Sequence, residues 1–242
     1  RLGLFLQIPD LNGLHRAVQR RLIRRALVEV RGDLRSINVQ HVDAILKLCM
    51  SLEGHDRVIV PGVDALRSFA TLLLTTPGRL NSEKRHYRID LAMGESVELP
   101  FEAGHLRLEP AGSEPQFCAT VKGEPHFPAD IVELDGEALT RGDCARPLYL
   151  RNWEPGDEMH RPGHSKPEKL KALFQEYKVL LWERRHWPVV LSGDEIVWAR
   201  RFGCAEKFQR SAGTRRPVRL RYRECERTRV ASESKGQKFT SL

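Results

Sequence analysis

Long apolar runs are missing from this 242-residue chain. Its longest uncharged stretches, such as 68–77, fall well short of the roughly 20 residues that span a bilayer as a helix. No segment joins a basic start, an apolar centre and a small-residue cleavage site, so no secretory signal is visible. Cysteine is scarce: Cys49, Cys118, Cys144, Cys204 and Cys225 are far apart, odd in number and never in a CxxC pair. That pattern supports neither a disulfide framework nor a cysteine zinc site, and it favours a reducing cytoplasm. Nucleotide-binding signatures are absent as well. There is no GxxxxGK[ST], no GxGxxG after a strand and no Ser-Gly-Gly loop, and GxSxG and HExxH are also missing. A self-contained ATP-using enzyme is therefore not expected from these residues. The chain opens at Arg1 in helix-like sequence, and we expect a piece of a longer protein whose N-terminal part carries the chemistry.

What is present is charge, unevenly spread. The net +8 divides into +4 over residues 1–76, −6 over 77–140, +4 over 141–210 and +6 over 211–242. Basic surfaces favour polyanions by neutralising phosphates and releasing counterions; the plain alternative is solubility. With 40% hydrophobic residues the chain can build real cores.

Periodicity predicts a helix over 14–30, with Leu14, Ala17, Val18, Leu22, Ala26, Leu27 and Val30 inward, Asn12 as N-cap and Gly32 as stop. Arg16, Arg20, Arg21, Arg24 and Arg25 fall mostly on the remaining circumference, where they serve either RNA contact or solvation. A second helix is predicted over 38–51, with Val39, Val42, Ile45, Leu46 and Cys49 inward. A hairpin follows, from 57–60 through Pro61-Gly62 to 65–75. Short strands are expected at 86–91, 96–100, 105–109, 116–121 and 131–134. A further strand at 148–151 leads into a loop over 153–164. A helix opening at Pro167 or Glu168 places Leu170, Leu173, Phe174 and Tyr177 on one face. A short helix or turn at 182–187 and a hairpin of 189–191 with 195–198 complete the pattern. The fold class is α+β: a helical segment with hairpin (1–76), a small β-rich acidic connecting unit (77–140), a compact mixed α/β C-terminal domain (141–209) and a basic flexible tail (210–242), in which 217–222 could add one edge strand.

Several local features have a chemical and a structural explanation side by side. His160 and His164 have i, i+4 spacing, but Pro162-Gly163 lies between them and no third ligand is evident, which favours solvated histidines over a metal site. Asp157 and Glu158 could act as acid and base, yet an aspartate after Pro155-Gly156 reads first as a turn cap. Trp153, Trp182, Trp187 and Trp198 could stack bases; for Trp182 and Trp198 we expect core positions. Lysines around the helix near 170, beside Arg151 and Arg161 in the preceding loop, suit a phosphate backbone or a solvated face equally well.

Leu150-Arg151-Asn152-Trp153-Glu154-Pro155-Gly156-Asp157, then Arg161-Pro162-Gly163, resembles the C-terminal domain of tRNA(Ile)-lysidine synthases. Lys169-Leu170-Lys171-Ala172-Leu173-Phe174, Trp182-Glu183-Arg184 and Trp187-Pro188-Val189 extend that resemblance. Arg20-Arg21-Leu22-Ile23-Arg24-Arg25-Ala26-Leu27, His41-Val42 and Ile45-Leu46 resemble the family's central region. The similarity covers about residues 10–209 and excludes the tail.

The resemblance implies an ATP-dependent ligase that adenylates C2 of the wobble cytidine of an isoleucine tRNA with a CAU anticodon. The amine of free lysine then displaces AMP to give lysidine. ATP and magnesium would be handled by an N-terminal domain whose Ser-Gly-Gly loop this chain lacks, so no catalytic residue carries over and no cofactor is expected here. What carries over is tRNA binding, expected at Arg151, Arg161, Lys166, Lys169, Lys171 and Lys178 in the C-terminal block and at Arg20, Arg21 and Arg24 in the central one. A stand-alone RNA-binding module and a homodimerisation module remain competing expectations.

Overall fold

The computed structural model describes residues 2–50, 54–80, 86–100, 103–112, 131–140 and 148–224. They fold as two units, one of 1–85 with Lys178–Trp182, the other of His86–Tyr177 with 183–242. The fold is mixed α/β, with six α-helices among the described residues and strand pairs that are antiparallel throughout.

The first unit runs β1 (Leu4–Gln7), α1 (Ile8–Asn12), α2 (Arg16–Arg31), α3 (Val39–Leu48), β2 (His55–Val60), β3 (Val63–Ser68) and β4 (Thr71–Thr75). Its sheet has the order β1-β4-β3-β2. Successive strand residues face opposite sides, and in β4 both sides are covered. Leu72 and Leu74 join Ile8, Ile23, Leu27, Ile45 and Leu46 in the main core. Leu73 joins Leu80 and Trp182 on the other side, where the Trp182 ring lies 5.5 Å from that of Phe5. The Leu181 amide donates to Ser68 Oγ at 3.0 Å, fixing the 178–182 segment there.

Both long helices were legible, but their details differ. The start of the chain is a strand, β1, rather than helix. Gly32 ends α2 in the left-handed region at φ 100°, and Asn38 caps α3 through a reciprocal bond with His41. The N-cap of α2 is His15, whereas Asn12 uses its side-chain amide on the Cys49 carbonyl at 2.9 Å. The buried stripe of α2 is Gln19, Ile23, Ala26 and Leu27. Leu14, Val18 and Leu22 are left exposed, because Ile23 takes the centre and Leu22 sits about 100° to one side of it. Val39 is likewise exposed. The Pro61-Gly62 turn forms as expected, but the run after it is two strands, divided at Phe69, whose φ is 51°.

The second unit contains β5 (Arg88–Leu91), β6 (Ser96–Leu99), β7 (Gly104–Pro110), β8 (Ile131–Asp135), α4 (Gly136–Thr140), β9 (Leu148–Asn152), β10 (Glu158–Met159), β11 (Glu168–Lys169) and α5 (Leu170–Glu176). After α6 (Leu181–Arg184), whose residues divide between the two units, come β12 (Pro188–Ser192), β13 (Glu195–Ala199), β14 (Gly203–Cys204) and β15 (Pro217–Arg223). One sheet has the order β14-β13-β12-β9-β5 and the other β6-β7-β15-β8. The strand expected at 116–121 lies outside the described residues.

Two points of organisation are corrected. First, β15 is no edge strand in a flexible tail; it lies between β7 and β8 and pairs with both. Arg221 reaches Glu109 and Arg219 reaches Glu133, so the strand is held by cross-strand ion pairs as well as its ladder. Second, the acidic stretch is not a separate connector: β5 pairs with β9, and β6 to β8 pair with one another or with β15. Local charge counts cannot register pairings between distant segments.

Gly104, at φ +126°, opens β7 so close to β15 that a Cβ would lie 2.2 Å from the Arg223 carbonyl oxygen. Gly104→Ala therefore meets both backbone strain and a backbone clash. The expected result is a loss of about 2–4 kcal/mol in denaturant titration.

Candidate nucleic-acid interface

The nine cations singled out from the sequence separate into two groups. Arg151 is a half-buried residue of β9 whose guanidinium forms two 2.8 Å bonds with the Asp157 carboxylate and a third with the Asn152 carbonyl. Asp157 also accepts from the Glu154 amide at 2.7 Å, so it closes the Pro155-Gly156 turn as expected of a turn aspartate. Arg161 is 8% exposed. Its guanidinium grips both oxygens of Glu168 at 2.8 and 3.1 Å and donates to the Tyr177 hydroxyl at 2.8 Å. Both arginines thus use their planar donor forks inside the fold.

These two forks frame the loop. The short pair of β10 and β11 sets Glu158 opposite Lys169 and Met159 opposite Glu168. The Leu170 amide then donates to the Asp157 carbonyl at 2.9 Å. Helix α5 follows, burying Leu170, Leu173 and Phe174 as its spacing predicts. Lys166, Lys169 and Lys171 are consequently exposed, and among the described residues none lies within ion-pair distance of a carboxylate. Lys178 is also exposed, at φ 50°, but belongs to the first unit. In that unit Arg20 and Arg16 share Asp43 at 2.9 and 3.0 Å; hydrogen bonding from Arg20 holds the Asp43 carboxyl below its ordinary range. Arg21 and Arg24 are exposed on the same helix, with no described carboxylate in reach.

Three of the four tryptophans are buried and offer no free face for a stacked base. Trp187 is fully buried and Trp198 and Trp182 nearly so, while Trp153 packs edge-on to Phe174 with ring centres 4.9 Å apart. His160 and His164 lie beside Glu206 and Glu168 at 3.5 and 3.2 Å. Among the described residues no group of three His, Cys, Asp or Glu is arranged to hold a metal. Sequence reasoning passed over Arg88, a basic residue in a net-acidic stretch with no motif around it.

The Arg161 hydrogen bond is the main cause that holds the Glu168 carboxyl below its ordinary value of 4.5. A carboxylate with a lowered pKa in the folded state stabilises fully above its unfolded value, and that contribution fades as pH falls through the folded value. Thermal unfolding of the chain should therefore shift downward below about pH 4.5, and Glu168→Gln should flatten that part of the profile. A flat wild-type profile there would show that the Arg161–Glu168 pair contributes nothing.

Two family models match the chain: "TilS substrate binding domain" over residues 6–72 and "TilS substrate C-terminal domain" over 148–222. A tRNA(Ile)-lysidine synthase from Solibacter usitatus is 33% identical over 206 residues, covering 85% of this chain. The chain belongs to the tRNA(Ile)-lysidine synthase family. A lysidine synthase of Geobacter sulfurreducens is 27% identical over 224 residues. The chain spans 44% of the length of each of these two relatives. A solved chain titled "Crystal structure of TILS C-terminal domain" is 23% identical, with a TM-score of 0.48, covering 58% of this chain and 98% of that one. Within the lysidine synthase family match, Arg20, Arg21 and Arg24 fall in the substrate-binding stretch, and Arg151, Arg161 and the four lysines fall in the C-terminal stretch.

Proposed function

We propose that this chain is the tRNA-gripping part of a tRNA(Ile)-lysidine synthase, and that its exposed cations bind the phosphate backbone of an isoleucine tRNA. The observation that carries this is the sorting of charge on the loop and helix of the second unit: Arg151 and Arg161 are locked to internal carboxylates, leaving Lys166, Lys169 and Lys171 exposed on the frame they build. Ammonium groups on such a frame suit sequence-independent phosphate contact, which positions a nucleic acid without reading its bases. Arg21 and Arg24 on α2, and Lys178, supply further contacts from the first unit.

In this scheme the whole protein joins lysine to C2 of the wobble cytidine using ATP. The chain's own task is to hold the tRNA. Its described residues offer no three-ligand metal cluster and its sequence no glycine-rich phosphate loop.

Fluorescence anisotropy with a labelled isoleucine tRNA transcript tests this. The wild-type chain should bind at low salt, and the triple variant Lys166→Glu, Lys169→Glu, Lys171→Glu should bind at least about tenfold more weakly. Its melting should stay near wild type, because all three side chains are exposed. Equal affinity in the two proteins would sink the assignment of phosphate contact to this surface.

A further inference from the structure

Beside the framed loop, the second unit has a recess of about 350 Å³ lined by His86, Tyr87, Arg88, Tyr149, Arg151 and Glu154. It lies where the edge strand β5 meets β9, partly outside both stretches that match the family models. Register sets Arg88 directly opposite Arg151, and like charges opposed across a ladder repel. Arg151 is neutralised by Asp157 at 2.8 Å, and His86 lies 3.7 Å from Glu154. For Arg88 no carboxylate among the described residues lies within ion-pair distance. Its guanidinium instead lies 3.8 Å from the centre of the Tyr149 ring. That ring is fixed: Tyr149 is buried, and its hydroxyl donates to the Gly193 carbonyl at 2.8 Å.

The recess therefore combines a cation with no counter-ion among the described residues, a rigid aromatic plane beneath it, and an exposed outer side. A guanidinium presents a flat surface on which a nucleobase stacks, and its edge donors suit a phosphate. The volume is at the small end of ligand sites, enough for a single nucleotide rather than a helix. We propose that this recess receives one unpaired nucleotide of the bound RNA, with its base on the outer face of the Arg88–Tyr149 stack and its phosphate on Arg88. This rests on the RNA-binding function proposed above.

The test uses the full chain and 2-aminopurine riboside 5′-monophosphate, whose fluorescence is quenched on stacking. Wild type should show saturable quenching, reversed by an unlabelled isoleucine tRNA transcript. Arg88→Ala should bind the nucleotide about tenfold more weakly, and Arg88→Lys, which keeps charge but loses the plane, nearly as weakly. Inorganic phosphate at the same concentration should leave the quenching in place. Quenching that is absent, or unchanged in Arg88→Ala, overturns the recess as a nucleotide site while leaving tRNA affinity through the lysines intact. tRNA that binds without reversing the quenching overturns the claim that an RNA nucleotide enters it. A chain that quenches the nucleotide but binds no tRNA contradicts the RNA-binding function itself, and with it the assignment of the occupant to RNA.

Discussion

Trp187→Ala is expected to cost about 3–5 kcal/mol in chemical denaturation, the range for truncating a buried aromatic. Trp187 is fully buried, and its ring centre lies 5.3 Å from that of Phe174 and 5.5 Å from that of Phe202. The guanidinium of Arg200, itself 3% exposed, lies 5.0 Å from the indole centre. Truncation thus opens a cavity and removes the aromatic face from a buried cation. The Trp187 carbonyl accepts from the Trp153 amide at 2.9 Å, which ties the cluster to the start of the framed loop. Trp187→Phe, which keeps a ring and loses no described hydrogen bond of the indole N–H, should cost clearly less. A loss below about 1 kcal/mol for the alanine variant would show that the aromatic cluster does not organise this unit.

The second large effect is expected at Arg161. Alanine there deprives Glu168 of its two-pronged partner and the Tyr177 hydroxyl of the donor it accepts from, at a residue 8% exposed. Removing one member of a buried pair costs about 3–5 kcal/mol; because the Glu168 side chain is 26% exposed, water recovers part of that, and about 2–3 kcal/mol is expected. Below the melting range the folded variant should keep the wild-type salt dependence for RNA, since Arg161 spends its donors internally. Denaturation and anisotropy on the same preparation separate the two readouts. A stable variant with weakened RNA binding would restore Arg161 to the phosphate contacts.

That reversal of roles shows where the sequence was legible and where it was not. Charge and spacing placed Arg151, Arg161 and the lysines in one block, but type alone did not separate a guanidinium held by a carboxylate six or seven residues on from an ammonium left in water. The partners Asp157 and Glu168 were visible in the sequence, and the preference of Arg for forked carboxylate contacts was the available signal. The extents of α2 and α3 were legible from periodicity and, for α2, from its Gly32 stop, whereas the α2 cap and part of its face were not: His15 rather than Asn12 caps it, and Leu14, Val18 and Leu22 face outward. The break between β3 and β4 was hidden, because Phe69 adopts a positive φ without a Gly, Asn or Pro to announce it. The central place of β15 was hidden for a different reason: alternation identifies a strand, but its neighbours, β7 and β8, are chosen by pairing across more than 80 residues.

The most direct test of phosphate binding by the framed lysines is the slope of log affinity for tRNA against log salt, measured for wild type, Lys169→Ala with Lys171→Ala, and Arg161→Ala. Removing one cation that neutralises a phosphate should reduce the slope by about one. The lysine pair is predicted to lower it by about two while Arg161→Ala leaves it unchanged. An unchanged slope in the lysine pair, with a reduced slope in Arg161→Ala, would contradict the division of these cations into gripping and framing groups.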